Sequence, residues 1–154
     1  MKIKDVTLRD LDKIFNIESK VFGEDSFSKE VVKKLICKNT FFLKLEKKNF
    51  LKRDIIGFII VVKDRADRVN IINILIKPEY QNQGYGTFLL RNTIEKTKKL
   101  NEIKKIVLNV SVRNIIAIKM YEKFQFRILQ KIEKYYRQDD SAYFMELNIN
   151  VNNS

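Results

Sequence analysis

The chain has 154 residues, 45% of them hydrophobic and 32% charged, which fits one globular domain with one core and excludes a mainly disordered chain. With no His and one Cys, it cannot build a Ser-His-Asp triad, a Cys-His pair, an imidazole zinc site, an internal disulfide or a CxxC pair. The formal net charge of +12 favours anionic partners (a polyphosphate ligand, nucleic acid, the ribosome, an acidic membrane) and disfavours polycationic ones, unless scattered Lys only reflects a Lys-, Ile- and Asn-rich composition.

In chain order, Ile3 to Val6 reads as a strand, followed by a helix from about Leu8 to Phe22 with Leu11, Ile14, Phe15 and Ile17 or Glu18 along one face. Gly23-Glu24-Asp25-Ser26 breaks it, and Ser28 is placed to cap a second helix, Lys29 to Lys38. Cys37, in that helix, is expected as a small core hydrophobe. Thr40 to Glu46 and Ile55 to Val62 read as strands joined by a charged turn, Lys47 to Asp54. The β-branched run Arg68 to Ile76 predicts a mid-sheet strand buried on both faces. Pro78 ends it; Gly84 and Gly86 open a helix to about Leu100, with Leu90, Ile94 and Thr97 on its apolar side. Lys105 to Val112 is a further strand, and Asn114 caps a helix to Phe124. Strands near Phe126 to Glu133 and Ala142 to Ile149 complete the order β-α-α-β-β-β-α-β-α-β-β, a mixed α/β domain over 1–149 with a frayed polar tail, 150–154. No apolar run reaches the ~20 residues of a spanning helix, and the first residues enter a strand pattern rather than a signal peptide. A cytoplasmic location is therefore expected.

Glycine and proline are scarce, four and one, yet Pro78-Glu79-Tyr80-Gln81-Asn82-Gln83-Gly84-Tyr85-Gly86-Thr87 gathers the Pro and two of the Gly between a buried strand and an amphipathic helix. Inward-turned N–H groups at a helix N-terminus, backed by its dipole, bind phosphate, and Gly admits the ligand where a Cβ would clash. No Gly-Lys-Ser/Thr follows at Walker spacing and no third Gly completes a dinucleotide fingerprint.

Gln81-x-x-Gly84-x-Gly86 resembles the Arg/Gln-x-x-Gly-x-Gly/Ala acetyl-CoA signature of the GCN5-related N-acetyltransferase (GNAT) superfamily. Asn114-x-x-Ala117-Ile118-x-x-Tyr121-Glu122-Lys123-x-x-Phe126 is similar to that superfamily's second half-motif. The segment from Tyr135-Tyr136 to Ala142-Tyr143-Phe144-Met145 resembles the Tyr-Tyr-x-Asp-Gly-Glu-Asp-Ala-Tyr-x-Met of RimI-type N-terminal acetyltransferases, which act on ribosomal-protein and other α-amines. The resemblance implies the GNAT fold, a mixed sheet of about seven strands with four helices, and acetyl-CoA as cosubstrate.

It also implies roles. The backbones of Ile74, Leu75 and Ile76 hold the pantetheine arm; N–H groups of Gln81, Asn82, Gln83, Gly84, Tyr85, Gly86 and Thr87 hold the pyrophosphate. Asn114 contacts the cofactor arm and Tyr121, two turns further along the same helix face, protonates the leaving thiolate. Phe22, Tyr135 and Tyr136 shape the acceptor slot. RimI-type relatives carry a Glu base where this chain has Asn109, which takes no proton. Deprotonating an α-amine of pKa about 7.7 to 8.0 at about pH 7.5 costs well under ~1 kcal/mol, against about 4 for Lys. A water held by Asn109 and Asn73 would serve the first. Glu24 and Asp25 are alternatives as base or amine anchor.

The sequence is compatible with three functions: direct acetyl transfer to a protein or peptide α-amine, a ribosomal protein among the acceptors; acetylation of a lysine or small amine; and a non-catalytic basic RNA- or ribosome-binding domain. No metal and no membrane is expected as a partner in any of them.

Overall fold

The computed structural model describes residues 1–149; the expected frayed tail lies outside them. The elements are β1 (Lys2–Asp5), α1 (Leu11–Phe22), α2 (Lys29–Cys37), β2 (Phe41–Asn49), β3 (Lys52–Arg65), β4 (Arg68–Ile76), α3 (Tyr85–Lys98), β5 (Lys105–Ser111), α4 (Ile115–Lys123), β6 (Arg127–Ile132) and β7 (Ala142–Asn148). They follow the predicted order. The sheet has seven strands in the order β1-β2-β3-β4-β5-β7-β6. The β1/β2, β2/β3, β5/β7 and β6/β7 pairs are antiparallel and β4/β5 is parallel. Among the described residues no helix is long and apolar enough to cross a membrane.

The chain divides into two compact units, residues 1–62 with 73–90, and residues 63–72 with 91 onward. In the first, Ile14, Val32, Leu43, Leu45, Ile56, Phe58, Ile59 and Leu89 are buried together with Phe42, whose ring lies 5.8 Å from that of Phe58. A 3-10 turn, Leu8–Asp10, precedes α1, and the Asp10 carboxylate accepts the Thr7 N–H at 2.9 Å. Ser28 caps α2 by accepting the Val31 N–H at 3.3 Å. In the second, Ile106, Val107, Leu108, Met145 and Phe126 form the buried set, and Thr97 satisfies its buried hydroxyl on the Thr93 carbonyl at 2.8 Å.

Between β2 and β3 the register shifts, Leu45 facing Gly57 and Glu46 facing Ile55, so Ile56 bulges. Gly57 permits a close approach to β4: a Cβ there would lie 2.5 Å from the Leu75 carbonyl oxygen and 2.5 Å from Ile76 Cδ1.

Three expectations change. Cys37 is exposed: it sits five residues after Val32, the buried residue of α2, which turns it about 140° away from the core-facing direction. The charged stretch Lys47 to Asp54 is mostly strand, with a turn at Phe50 and Leu51; charge marks strand edges facing water as readily as it marks loops. Phe50 has φ 41 and both turn residues are fully exposed. Finally, β4 is buried at Val69, Ile71, Leu75 and Ile76 but half-open at Ile72, Asn73 and Ile74. The ladder to β5 covers Arg68 to Ile71, while β4 runs on to Ile76.

Candidate active site

In the first unit, β4 ends at Pro78–Tyr80, a 3-10 turn that begins on Pro, where a missing N–H costs nothing. Gln81 Nε2 donates to the Ile76 carbonyl at 2.9 Å, and the Gln81 N–H to the Pro78 carbonyl at 3.2 Å. Asn82 and Gly84 then adopt left-handed conformations, φ 62 and 84, which reverse the chain into α3. The first helical hydrogen bond runs from Phe88 N–H to the Gly84 carbonyl, 3.0 Å. The backbone N–H groups of residues 82–87 make no hydrogen bond among the described residues. Six consecutive free donors at the positive end of a 14-residue helix form an anion cradle. Lys47 Nζ donates to the Tyr85 hydroxyl at 3.2 Å and lies over the Tyr80 and Tyr85 rings, 5.6 Å from each centroid, beside the turn. The cradle therefore fits a polyphosphate, and the half-open Ile72–Ile74 edge leads up to it.

Facing Asn73 on that edge is a group whose role the sequence did not reveal. Glu18, on α1, is 1% exposed. Its Oε2 accepts the Phe27 N–H at 2.8 Å and its Oε1 accepts from Asn73 Nδ2 at 3.4 Å. Burial pushes its carboxyl up to about 7, against the pull of the Phe27 N–H. Phe22 is half-buried at the end of α1, whereas Glu24 and Asp25 are exposed in the 3-10 turn after it.

In the second unit, Asn114 caps α4, its Oδ1 accepting the Ala117 N–H at 3.2 Å. Tyr121 is 4% exposed and packs against Phe126 at 5.6 Å between ring centroids. Its hydroxyl has no hydrogen-bond partner among the described residues, and burial, reinforced by Tyr136, holds its ionisation well above the ordinary tyrosine range. It is a protonated donor at any working pH. Asn109 and the two tyrosines are brought together: Asn109 Nδ2 donates to the Tyr135 hydroxyl and the Tyr136 hydroxyl donates to the Asn109 carbonyl, each at 3.4 Å. The tyrosine rings meet edge to face at 4.8 Å. Asn109 Oδ1 is buried without a partner among the described residues. The loop behind them is tied down by Ser111 Oγ donating to Asp140 Oδ2 at 2.5 Å and by Tyr136 N–H donating to the Asp140 carbonyl at 2.8 Å.

The signal for Glu18 was present but ambiguous. It lies one turn after Ile14 on the apolar face of α1. A carboxylate at such a position is either at the margin of the face or buried for a purpose, and periodicity does not distinguish the two.

A strand–turn–helix that fits a polyphosphate, beside an open strand edge in a seven-stranded mixed sheet, suits a CoA-dependent acyltransferase. The profile of the acetyltransferase (GNAT) family matches residues 11–126, and the chain belongs to that family; acetyl-CoA is its cosubstrate. A putative ribosomal protein bS18-alanine N-acetyltransferase of Bacillus subtilis is 30% identical over 153 residues, 96% of this chain and 95% of that protein. An N-alpha-acetyltransferase of Sulfolobus acidocaldarius is 33% identical over 76 residues, 49% of this chain and 45% of that protein, so the chain spans about half the length of this relative. Among solved structures, the ribosomal-protein-S18-alanine N-acetyltransferase of Escherichia coli gives a TM-score of 0.79 at 25% identity, covering 96% of this chain and 93% of that one. Arabidopsis thaliana NAA60 in complex with acetyl-CoA gives 0.84 at 15% identity, covering 96% and 98%, a likeness of fold.

Proposed function

We propose that the protein transfers the acetyl group of acetyl-CoA directly to the α-amino group of a protein or peptide N-terminus, in the cytoplasm. The observation that carries the reading is the run of free N–H groups at residues 82–87, which holds the pyrophosphate with Gln81 shaping the turn. The backbones of Ile74, Leu75 and Ile76 take the pantetheine arm, assisted by Asn114. Acetyl-CoA supplies an activated thioester. The substrate nitrogen forms a C–N bond as the C–S bond breaks, and Tyr121 gives its phenolic proton to the departing sulfur. The hydroxyl of this buried residue keeps its proton, which suits that role.

On the family resemblance, Phe22, Tyr135 and Tyr136 would shape the acceptor slot, Asn109 and Asn73 would hold a water, and Glu24 is an alternative anchor for the substrate amine. A preference for α-amines is supported by the two relatives named for alanine N-acetylation, which make a ribosomal-protein N-terminus the first acceptor to try. The net charge of +12 disfavours polyamines.

Release of CoA from acetyl-CoA is to be followed with a panel of N-terminal peptides, the same peptides with blocked α-amines, and small amines. Turnover confined to free α-amines is expected. Activity that persists with blocked α-amines would assign the acceptor to lysine or small amines, and no turnover by the folded protein would overturn the proposal.

A further inference from the structure

Asn109 leaves the proposed reaction without a carboxylate where RimI-type enzymes carry one. We propose that Glu18 is the proton acceptor, taking the proton of the substrate ammonium through a water held at the Asn73 amide; this rests on the α-amine reading above.

Glu18 is buried on α1 and reaches across to β4, where its contact is Asn73, the residue before the Ile74–Ile76 edge. Among the described residues no cation lies within ion-pair distance of it. Of the charged groups on the surrounding segments, Asp12 and Lys29 pair with each other at 2.6 Å and Lys77 pairs with Asp54 at 3.3 Å. Lys13, Lys20, Glu24, Asp25, Glu30, Lys33 and Lys34 are the other charged groups on these segments, and the named influences on the Glu18 carboxyl are its burial and the Phe27 N–H. A buried carboxylate with no counter-charge is costly, and a Gln would tie α1 to Phe27 without that cost. The retained charge calls for a purpose, and proton transfer at a strand edge is one.

The chemistry is selective. With its carboxyl at about 7, accepting a proton from an α-ammonium of pKa about 8 is uphill by roughly tenfold, and from a lysine ammonium of pKa about 10.4 by more than about a thousandfold. The ammonium loses one proton to Glu18; the neutral amine attacks, and its second proton replaces the one Tyr121 gives to sulfur. Glu18 then returns its proton to solvent.

The test compares wild type with Glu18→Gln, which keeps an acceptor for the Phe27 N–H. On an ordinary N-terminal peptide the variant should lose at least about tenfold in kcat and the rise in rate near pH 7, with acetyl-CoA affinity within about twofold. On an acceptor already neutral at pH 7, such as a hydrazide, it should lose almost nothing. An equal loss on both acceptors, or an unchanged pH profile, would overturn the proposal. Should Glu18→Gln not fold, carbon-13 NMR of the Glu18 carboxyl in the wild type decides: titration near 7 supports the assignment and titration near 4.5 overturns it. A wild type that is active on α-amines while the variant matches it removes this proposal alone; a wild type inactive on every α-amine removes the functional reading and this proposal with it.

Discussion

Asp10 and Glu18 are both buried carboxylates at the start of the chain, and their surroundings drive them in opposite directions. Burial raises both, but at Asp10 the Thr7 N–H and Lys44, 2.9 Å away, outweigh it and hold the carboxyl below its usual range. Asp10 therefore stabilises the fold above the unfolded carboxyl range, and that contribution is lost as pH falls. Glu18 has the opposite sign. Its folded form is raised from 4.5 to about 7, so the stability it retains when protonated is complete below 4.5 and lost as pH rises through 7. Glu18→Gln should therefore be more stable than wild type at pH 8, by on the order of 2 kcal/mol, and the difference should shrink at pH 5. Thermal unfolding at the two pH values checks this, and equal stabilities at pH 8 would contradict it. Tyr121→Phe should lower kcat by about 10² or more and leave the acetyl-CoA Kd within about twofold; a parallel loss of both would contradict the acid role.

At the scale of elements, the turn before α3 and the start of α4 were legible because their backbone geometry is written in local spacing: Pro78, Gly84 and Gly86 for the turn, and the Asn114 cap for α4. Glu18 was not, because its partners, Phe27 and Asn73, come from separate elements. Similarly, Gly57 carried no motif, and its importance lies in a contact with β4 that only the folded register creates. Gln125 and Asp139 adopt left-handed backbone, φ 76 and 60, a conformation that favours Gly. The fold kept the geometry and accepted strain. Gln125→Gly should therefore stabilise the protein by about 1 kcal/mol, whereas Gly57→Ala should cost about 1–3 kcal/mol by crowding the Leu75 carbonyl and Ile76. Denaturant midpoints of the two variants check the signs, and a stabilising Gly57→Ala would contradict the close approach.

At the scale of the whole molecule, element order and sheet composition were readable because hydrophobic periodicity changes cleanly between strands and helices. Exposure was read less well. Cys37 looked like core from its residue type and proved exposed because of its angular position on α2. The net charge of +12 should act at this scale as a field that attracts anionic acetyl-CoA. Its association rate should fall several-fold between about 0.05 M and about 0.5 M salt, measured by stopped flow; a salt-independent rate would show that the charge does not steer the cosubstrate. The central claim is the site of acetylation. It is tested most directly by incubating the protein and acetyl-CoA with a peptide that has a free α-amine and an internal lysine, then locating the added acetyl group by tandem mass spectrometry. Acetyl on the terminal nitrogen alone is the predicted result, and acetyl on the lysine side chain would contradict it.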